Sequence, residues 1–210
     1  MKEYHKIQTV FMRDPATNHK TLLLGQYSRP EFGYLADCDW DYTEKVDGTN
    51  IRIMFHGGAV TFGGKTDRAS IPADLTNNMA ASSYASPSRL ASVFGDDATV
   101  CLYGEGYGTK IQKVGALYSQ TQDFVLFDVR VGDLWLSREN VAEVGEKIGA
   151  DVVPSIGRGS LKEAVALVRD GFSSRWGDFA AEGIVARPVV ELRSRTGERV
   201  ITKIKHRDFA

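Results

Sequence analysis

Short runs of β-branched and aromatic residues dominate the middle of this chain, and the helix signals among them follow no regular alternation. A doubly wound parallel sheet needs that alternation, so the pattern predicts an α+β fold. The strand-like runs cover residues 51–55, 60–62, 99–103, 124–131, 183–187 and 199–205. Gly57-Gly58 between the first two reads as a hairpin turn. In the last run, period-2 geometry puts Val200, Thr202, Ile204 and His206 on one face and Ile201, Lys203, Lys205 and Arg207 on the other. Lys203 and Lys205 then point the same way, about 7 Å apart along the strand.

Three helices are marked by their ends. Ser86-Pro87 opens one that runs to about Phe94, with Gly95 after it. Ser137 caps a second that Gly149 stops. Ser160 and Glu163 form a capping box on a third, which closes at Gly171 and turns Leu161, Ala164, Val165 and Val168 toward a core. Residues 70–88, rich in Ala, Ser and Asn, read as a surface excursion with a short helix.

Composition narrows the class of protein. No apolar run approaches the roughly 18 residues that span a bilayer, and the polar N-terminus lacks a leader's apolar stretch, so the expectation is a cytoplasmic protein with no membrane partner. Cys38 and Cys101 lie outside any Cys-x-x-Cys pair and are expected as buried, reduced thiols. The net charge of −1 hides an asymmetry. From Arg187 to Arg207 seven Lys or Arg face two Glu, a net of +5 that leaves the remainder near −6. Such a stretch suits phosphate or nucleic acid, although a solvated strand edge carries the same residues.

Familiar phosphate motifs are absent: there is no Walker sequence, and Gly104-Glu105-Gly106-Tyr107-Gly108 misses the dinucleotide spacing. The histidines lack metal-ligand spacing, and no acyl-transfer elbow appears. Five segments stand out instead. Glu44-Lys45-Val46-Asp47-Gly48-Thr49-Asn50 places a lysine beside carboxylates, a turn glycine and an amide. Tyr103-Gly104-Glu105-Gly106 sets a carboxylate between glycines at a strand end. Phe127-Asp128 closes an apolar strand run, Glu182-Gly183 opens another, and Lys203 and Lys205 share a face.

In this order the five segments resemble the motifs of covalent nucleotidyltransferases, the RNA ligases, DNA ligases and mRNA capping enzymes. They extend from Lys45 to Lys205. Asn50, where DNA ligases and capping enzymes usually carry arginine, is similar to RNA ligases. The opening residues 4–11 and Phe62-Gly63-Gly64-Lys65-Thr66-Asp67 resemble the small RNA ligases of the phage RNA-ligase 2 type. The resemblance implies a nucleotidyltransferase domain of the ATP-grasp-like kind, with antiparallel sheets, peripheral helices and an ATP pocket between the sheets.

It also implies a chemistry. Lys45 attacks the α-phosphorus of ATP, pyrophosphate leaves, and the AMP passes to an RNA 5′-phosphate from which a 3′-hydroxyl displaces it. A free lysine, with a pKa of about 10.4, is protonated at neutral pH and cannot attack, so nearby cations and burial are needed. Lys203 and Lys205 supply those cations and offset charge on the α-phosphate. Glu105 accepts from ribose hydroxyls, Phe127 stacks on adenine, and Glu44 and Asn50 lie near the nucleotide. Asp47, Asp128 and Glu182 organise the hydration shell of Mg²⁺ or Mn²⁺, with Glu182 also counted in the catalytic set. Lys65 stands where the family usually has arginine, and Arg68 shares its role. Several of these residues also have a plainer reading: a turn carboxylate for Glu105, a strand-end salt bridge for Asp128, core packing for Phe127, a turn-closing amide for Asn50, and an exposed strand face for Lys203 and Lys205.

Five residues follow Lys205. Larger relatives carry a further domain at that place, so the expectation is one domain over residues 1–210 without a C-terminal accessory domain. The partners expected are RNA ends or a nicked RNA duplex, with a protein partner supplying the missing module. The rival readings are a DNA ligase or capping-type guanylyltransferase, and a non-catalytic module that binds nucleotide or RNA ends.

Overall fold

Cross-strand pairing sorts the strands into two five-stranded sheets and a two-stranded ribbon in the computed structural model, which describes residues 3–209. In chain order the first elements are β1 (Gln8–Thr9), β2 (Phe11–Arg13), β3 (Leu22–Tyr27), α1 (Pro30–Tyr34) and β4 (Trp40–Glu44). Next come β5 (Thr49–His56), β6 (Ala59–Gly63), α2 (Ala73–Ala81), α3 (Pro87–Phe94), β7 (Val100–Tyr107), α4 (Gly115–Tyr118), β8 (Asp123–Val131) and β9 (Leu134–Trp135). The last are α5 (Arg138–Ile148), β10 (Ser155–Gly159), α6 (Leu161–Asp170), β11 (Gly183–Pro188) and β12 (Thr202–Lys205).

The chain divides into two compact units. One takes the N-terminal residues through His5 together with Asp47–Val153; the other takes Lys6–Val46 and Pro154–Ala210. In the first, the sheet order is β6-β5-β7-β8-β9, antiparallel throughout, with tight turns joining β5 to β6 and β8 to β9 and helical segments joining β6 to β7 and β7 to β8. Its core sets Ile51, Ile53 and Phe55 of β5 and Leu102 of β7 against Leu75, Met79, Leu90, Val141 and Ile148 from the helices. The alternate-residue spacing on β5 is what one buried sheet face requires.

In the second unit the order is β1-β12-β11-β4-β10. All pairs are antiparallel except β1 with β12, which is parallel. Trp40, Tyr42, Ile184, Ala186 and Ile204 meet Leu161, Ala164 and Val168 of α6. Val165, expected on the same face, packs at its partly buried margin. The capping box on α6 forms as the sequence predicts, with Ser160 accepting from the Glu163 N–H and Glu163 accepting from the Ser160 N–H.

Four expectations need correction. Residues 70–88 hold two helical turns of the core rather than a surface excursion: Leu75 and Met79 are wholly buried, and Tyr84 and Ala85 nearly so. The glycine-rich Gly104-Glu105-Gly106 is not at a strand end, because β7 runs on to Tyr107 and pairs on both sides. The last strand begins at Thr202 rather than 199, since Arg199 turns inward to pair with Glu191 at 2.5 Å. Cys101 is buried, and burial pushes its thiol up to about 11, but Cys38 is exposed. No helix among the described residues is long and apolar enough to cross a membrane.

Candidate active site

Strand register brings the chemically active residues of the second unit together. β4 and β11 pair Glu44 with Ile184, and β11 and β12 pair Gly183 with Lys205. The chain therefore leaves β4 at Lys45 beside the start of β11 and the end of β12. The Lys45 N–H donates to the Gly183 carbonyl at 2.9 Å, which fixes the lysine's backbone to the neighbouring strand. Gly183 has φ of 149°, and a Cβ there would stand 2.0 Å from the Ile204 carbonyl oxygen, so no larger residue fits.

Three side chains meet at this place. Lys45 Nζ donates to Glu182 Oε2 at 2.7 Å, and Lys205 Nζ lies 2.6 Å from Glu182 Oε1. All three are mostly buried, with 13–21% of their side-chain surface exposed. Burial alone would raise the Glu182 carboxyl; the charges and hydrogen bonds of Lys45 and Lys205 outweigh it and hold the group below the ordinary carboxylate value. Lys45 Nζ also reaches the Val46 carbonyl at 3.3 Å. Lys203 is half-buried opposite Val185, on the same side of β12 as Lys205, while Thr202 and Ile204 point into the core.

Glu44 does something the sequence did not predict. It is buried, and its two carboxylate oxygens accept from the Ser174 hydroxyl at 2.5 Å and the Arg175 N–H at 2.8 Å. It thus ties the segment before β11 to the end of β4. Ser174 and Arg175 lie 130 residues away in sequence, and no local signal marks them.

The first unit holds the remaining candidates. The Asp47 N–H donates to Tyr118 Oη at 3.3 Å, and Gln112 Nε2 donates to the Gly48 carbonyl at 3.0 Å. Gly48 is required by close approach: a Cβ would sit 2.2 Å from the Gly106 carbonyl oxygen. Asn50 and Glu105 face each other across β5 and β7, joined by a long 3.5 Å contact from Asn50 Nδ2 to Glu105 Oε2. Asn50 Oδ1 is buried without a hydrogen-bond partner, an acceptor that a ligand's hydroxyl or N–H would satisfy.

Phe127 lies at a register irregularity between β7 and β8, which frees it from the inward alternation and leaves it half-buried beside Leu126, which is wholly buried. Tyr4 packs edge-on against it, with ring centroids 5.0 Å apart. Tyr4 also donates to Asp128 Oδ2 at 2.9 Å, and Asp128 Oδ1 accepts from the Val129 N–H at 3.2 Å. Lys65 and Arg68 are exposed on the segment after β6.

For a divalent cation the donor chemistry is specific. Among the described residues, no group of three or more His, Cys, Asp or Glu side chains is placed to hold a metal ion. Half-buried Asp47 in the first unit and half-buried Glu182 in the second each offer a single carboxylate. A lone carboxylate suits a hydrated Mg²⁺-type ion, which keeps most of its waters and needs only one or two such groups. Asp128 and Glu182 both already accept at both oxygens, so either must release a donor before it can take a water of such an ion.

The RNA ligase family model matches residues 39–205, and the chain belongs to that family. No curated protein matches. Among solved structures, Naegleria gruberi RNA ligase is similar in three forms. The apo form gives a TM-score of 0.69 at 13% identity, covering 99% of this chain and 56% of that one. Forms with ATP and Mn, and with PPi, each give 0.68 at 14% identity, covering 98% and 56%. At these identities the likeness shows the fold, and the chain spans about 56% of the length of those ligases. The α+β nucleotidyltransferase expectation and the RNA-ligase resemblance are both borne out.

Proposed function

We propose that this chain carries out ATP-dependent RNA ligation through a covalent lysyl-AMP intermediate, with Lys45 as the nucleophile. The observation that carries the reading is the Lys45–Glu182–Lys205 array, in which one carboxylate is shared by two ammonium groups. An ammonium donating to a carboxylate has no lone pair to offer phosphorus. Productive attack therefore requires Lys45 to give one proton to water and leave Glu182, and a second proton passes from the nitrogen to water as the P–N bond forms. Lys205 and Lys203 remain at hand to hold the α-phosphate and to offset the charge that grows on it. Lys45 Nζ bonds to the α-phosphorus, pyrophosphate departs with the P–O electron pair, and a phosphoramidate remains. The AMP then moves to an RNA 5′-phosphate, and a 3′-hydroxyl displaces it to form the phosphodiester.

The other residues serve binding. Asn50, with its unpartnered Oδ1, and Glu105 take polar groups of the nucleotide or the RNA end. Phe127 offers its half-buried ring to adenine, and Lys65 and Arg68 meet the polyphosphate. Glu44 acts through the backbone it anchors. A Mg²⁺ or Mn²⁺ ion would be held through its waters by a single carboxylate, Glu182 or Asp47, and would neutralise phosphate charge. The substrate is RNA with a 3′-hydroxyl and a 5′-phosphate, free or as a nick. The N. gruberi ligase structures with ATP and Mn support the choice of nucleotide and metal.

Sealing of a nicked RNA duplex measured beside a nicked DNA duplex tests the substrate. Preference for the RNA strand is expected. Equal sealing of DNA, or labelling by GTP in place of ATP, would move the reading to a DNA ligase or a capping-type enzyme.

A further inference from the structure

Arg52 of β5 ranks with Trp40 and Tyr103 among the largest wholly buried side chains. A buried guanidinium costs several kcal/mol in lost hydration unless its charge and protons are matched. Two of its partners lie on the segment that follows β6. Arg52 Nε donates to the Gly64 carbonyl at 2.9 Å, and Nη2 donates to Asp67 Oδ1 at 2.7 Å. Asp67 is 76% exposed while the Arg52 side chain is 0% exposed. The pair therefore ties a surface segment to the sheet rather than one core element to another. The segment packs directly on the guanidinium: a Cβ on Gly63 would come 3.0 Å from Nη2. Glu3 Oε1 holds the same segment from another side, accepting from the Asp67 N–H at 3.1 Å. Between Gly64 and Asp67 stands exposed Lys65, with Arg68 just beyond.

We propose that Arg52 is a positioning residue, fixing the backbone of residues 63–68 so that Lys65 is presented to the nucleotide's phosphates. This rests on the adenylylation reading above. The argument is geometric. An exposed lysine carries about 2 kcal/mol of rotamer entropy and gains precision only from the backbone beneath it. A planar fork that grips a carbonyl and a carboxylate three residues apart supplies that backbone restraint, and a lysine's single ammonium cannot span both.

The test is the rate of lysyl-AMP formation against ATP concentration for wild type, Arg52→Lys, Asp67→Ala and Lys65→Ala, and for each of the first two substitutions combined with Lys65→Ala. Asp67→Ala removes a partner that is 76% exposed and opens the guanidinium to water, so it disturbs the core less than Arg52→Lys, and a urea midpoint measured beside wild type shows that the variant is folded. Each of these two single variants should raise KM for ATP about five- to tenfold with kcat nearly unchanged, the size of a lost charge-assisted positioning bond. Neither should raise it further once Lys65 is alanine. A wild-type KM in Asp67→Ala, or a full additional rise on top of Lys65→Ala, overturns the role of Arg52 while leaving adenylylation standing. A wild-type protein that forms no adduct overturns the adenylylation reading and this inference with it.

Discussion

Glu182 shows how one residue sets the chemistry of its neighbours. Its carboxylate is shared between Lys45 and Lys205, and it is held below the ordinary value of 4.5 against the opposing effect of burial. The sign follows by linkage. A carboxyl whose folded-state value is depressed contributes stability that is present above its unfolded value and disappears as pH falls through the folded one. The loss therefore begins near pH 4.5 and deepens below it. Thermal melts across pH 3–6 should show a steeper acid-side decline in wild type than in Glu182→Gln, whose amide does not titrate. Parallel declines would mean the carboxylate does not carry that linkage. At the same site, Lys205→Ala should slow lysyl-AMP formation about 100-fold, the usual cost of removing a preorganised charge from a transition state. A change of less than threefold in single-turnover rates would remove Lys205 from that role.

Among the elements, α6 ties the sheet of the second unit together. Leu161, Ala164 and Val168 cover Ile184, Ala186 and Ile204, and Ser160 caps the helix. Leu161→Ala should cost about 2–5 kcal/mol of unfolding free energy, and Ser160→Ala about 1 kcal/mol, both read from urea denaturation. This helix was legible in the sequence because capping and periodicity are local: Ser160, Glu163 and Gly171 mark its ends within a dozen residues. Strands β1, β4 and β10 were not. Gln8–Thr9 is too short to show alternation, and it is a strand only because Thr202 and Lys203 lie beside it. The end of β7 was misjudged because glycine weakens a strand in isolation, yet Gly104 and Gly106 are held by partners on both sides. The lysines and carboxylates of the site were legible as a family pattern. The anchors beneath them were not: Ser174 on Glu44 and Gly64 on Arg52 are long-range or backbone contacts with no sequence mark.

For the molecule as a whole, the structure redistributes the basic C-terminal stretch. Arg199 is buried against Glu191, and Lys205 is committed to Glu182, so Arg195 and Arg207 are the exposed arginines placed to meet a nucleic-acid backbone. Two phosphate contacts predict a log–log salt slope of about −1.4 to −1.8 for RNA binding, while formation of the nucleotide adduct should fall far less over the same salt range. Equal salt dependence of the two steps would place RNA elsewhere. The central claim, that Lys45 is the nucleophile, is tested most directly by incubation with α-labelled ATP and Mg²⁺ or Mn²⁺ followed by a denaturing gel. The account predicts an acid-labile labelled band for the wild-type chain and none for a folded Lys45→Ala variant. A band that persists in Lys45→Ala would contradict it.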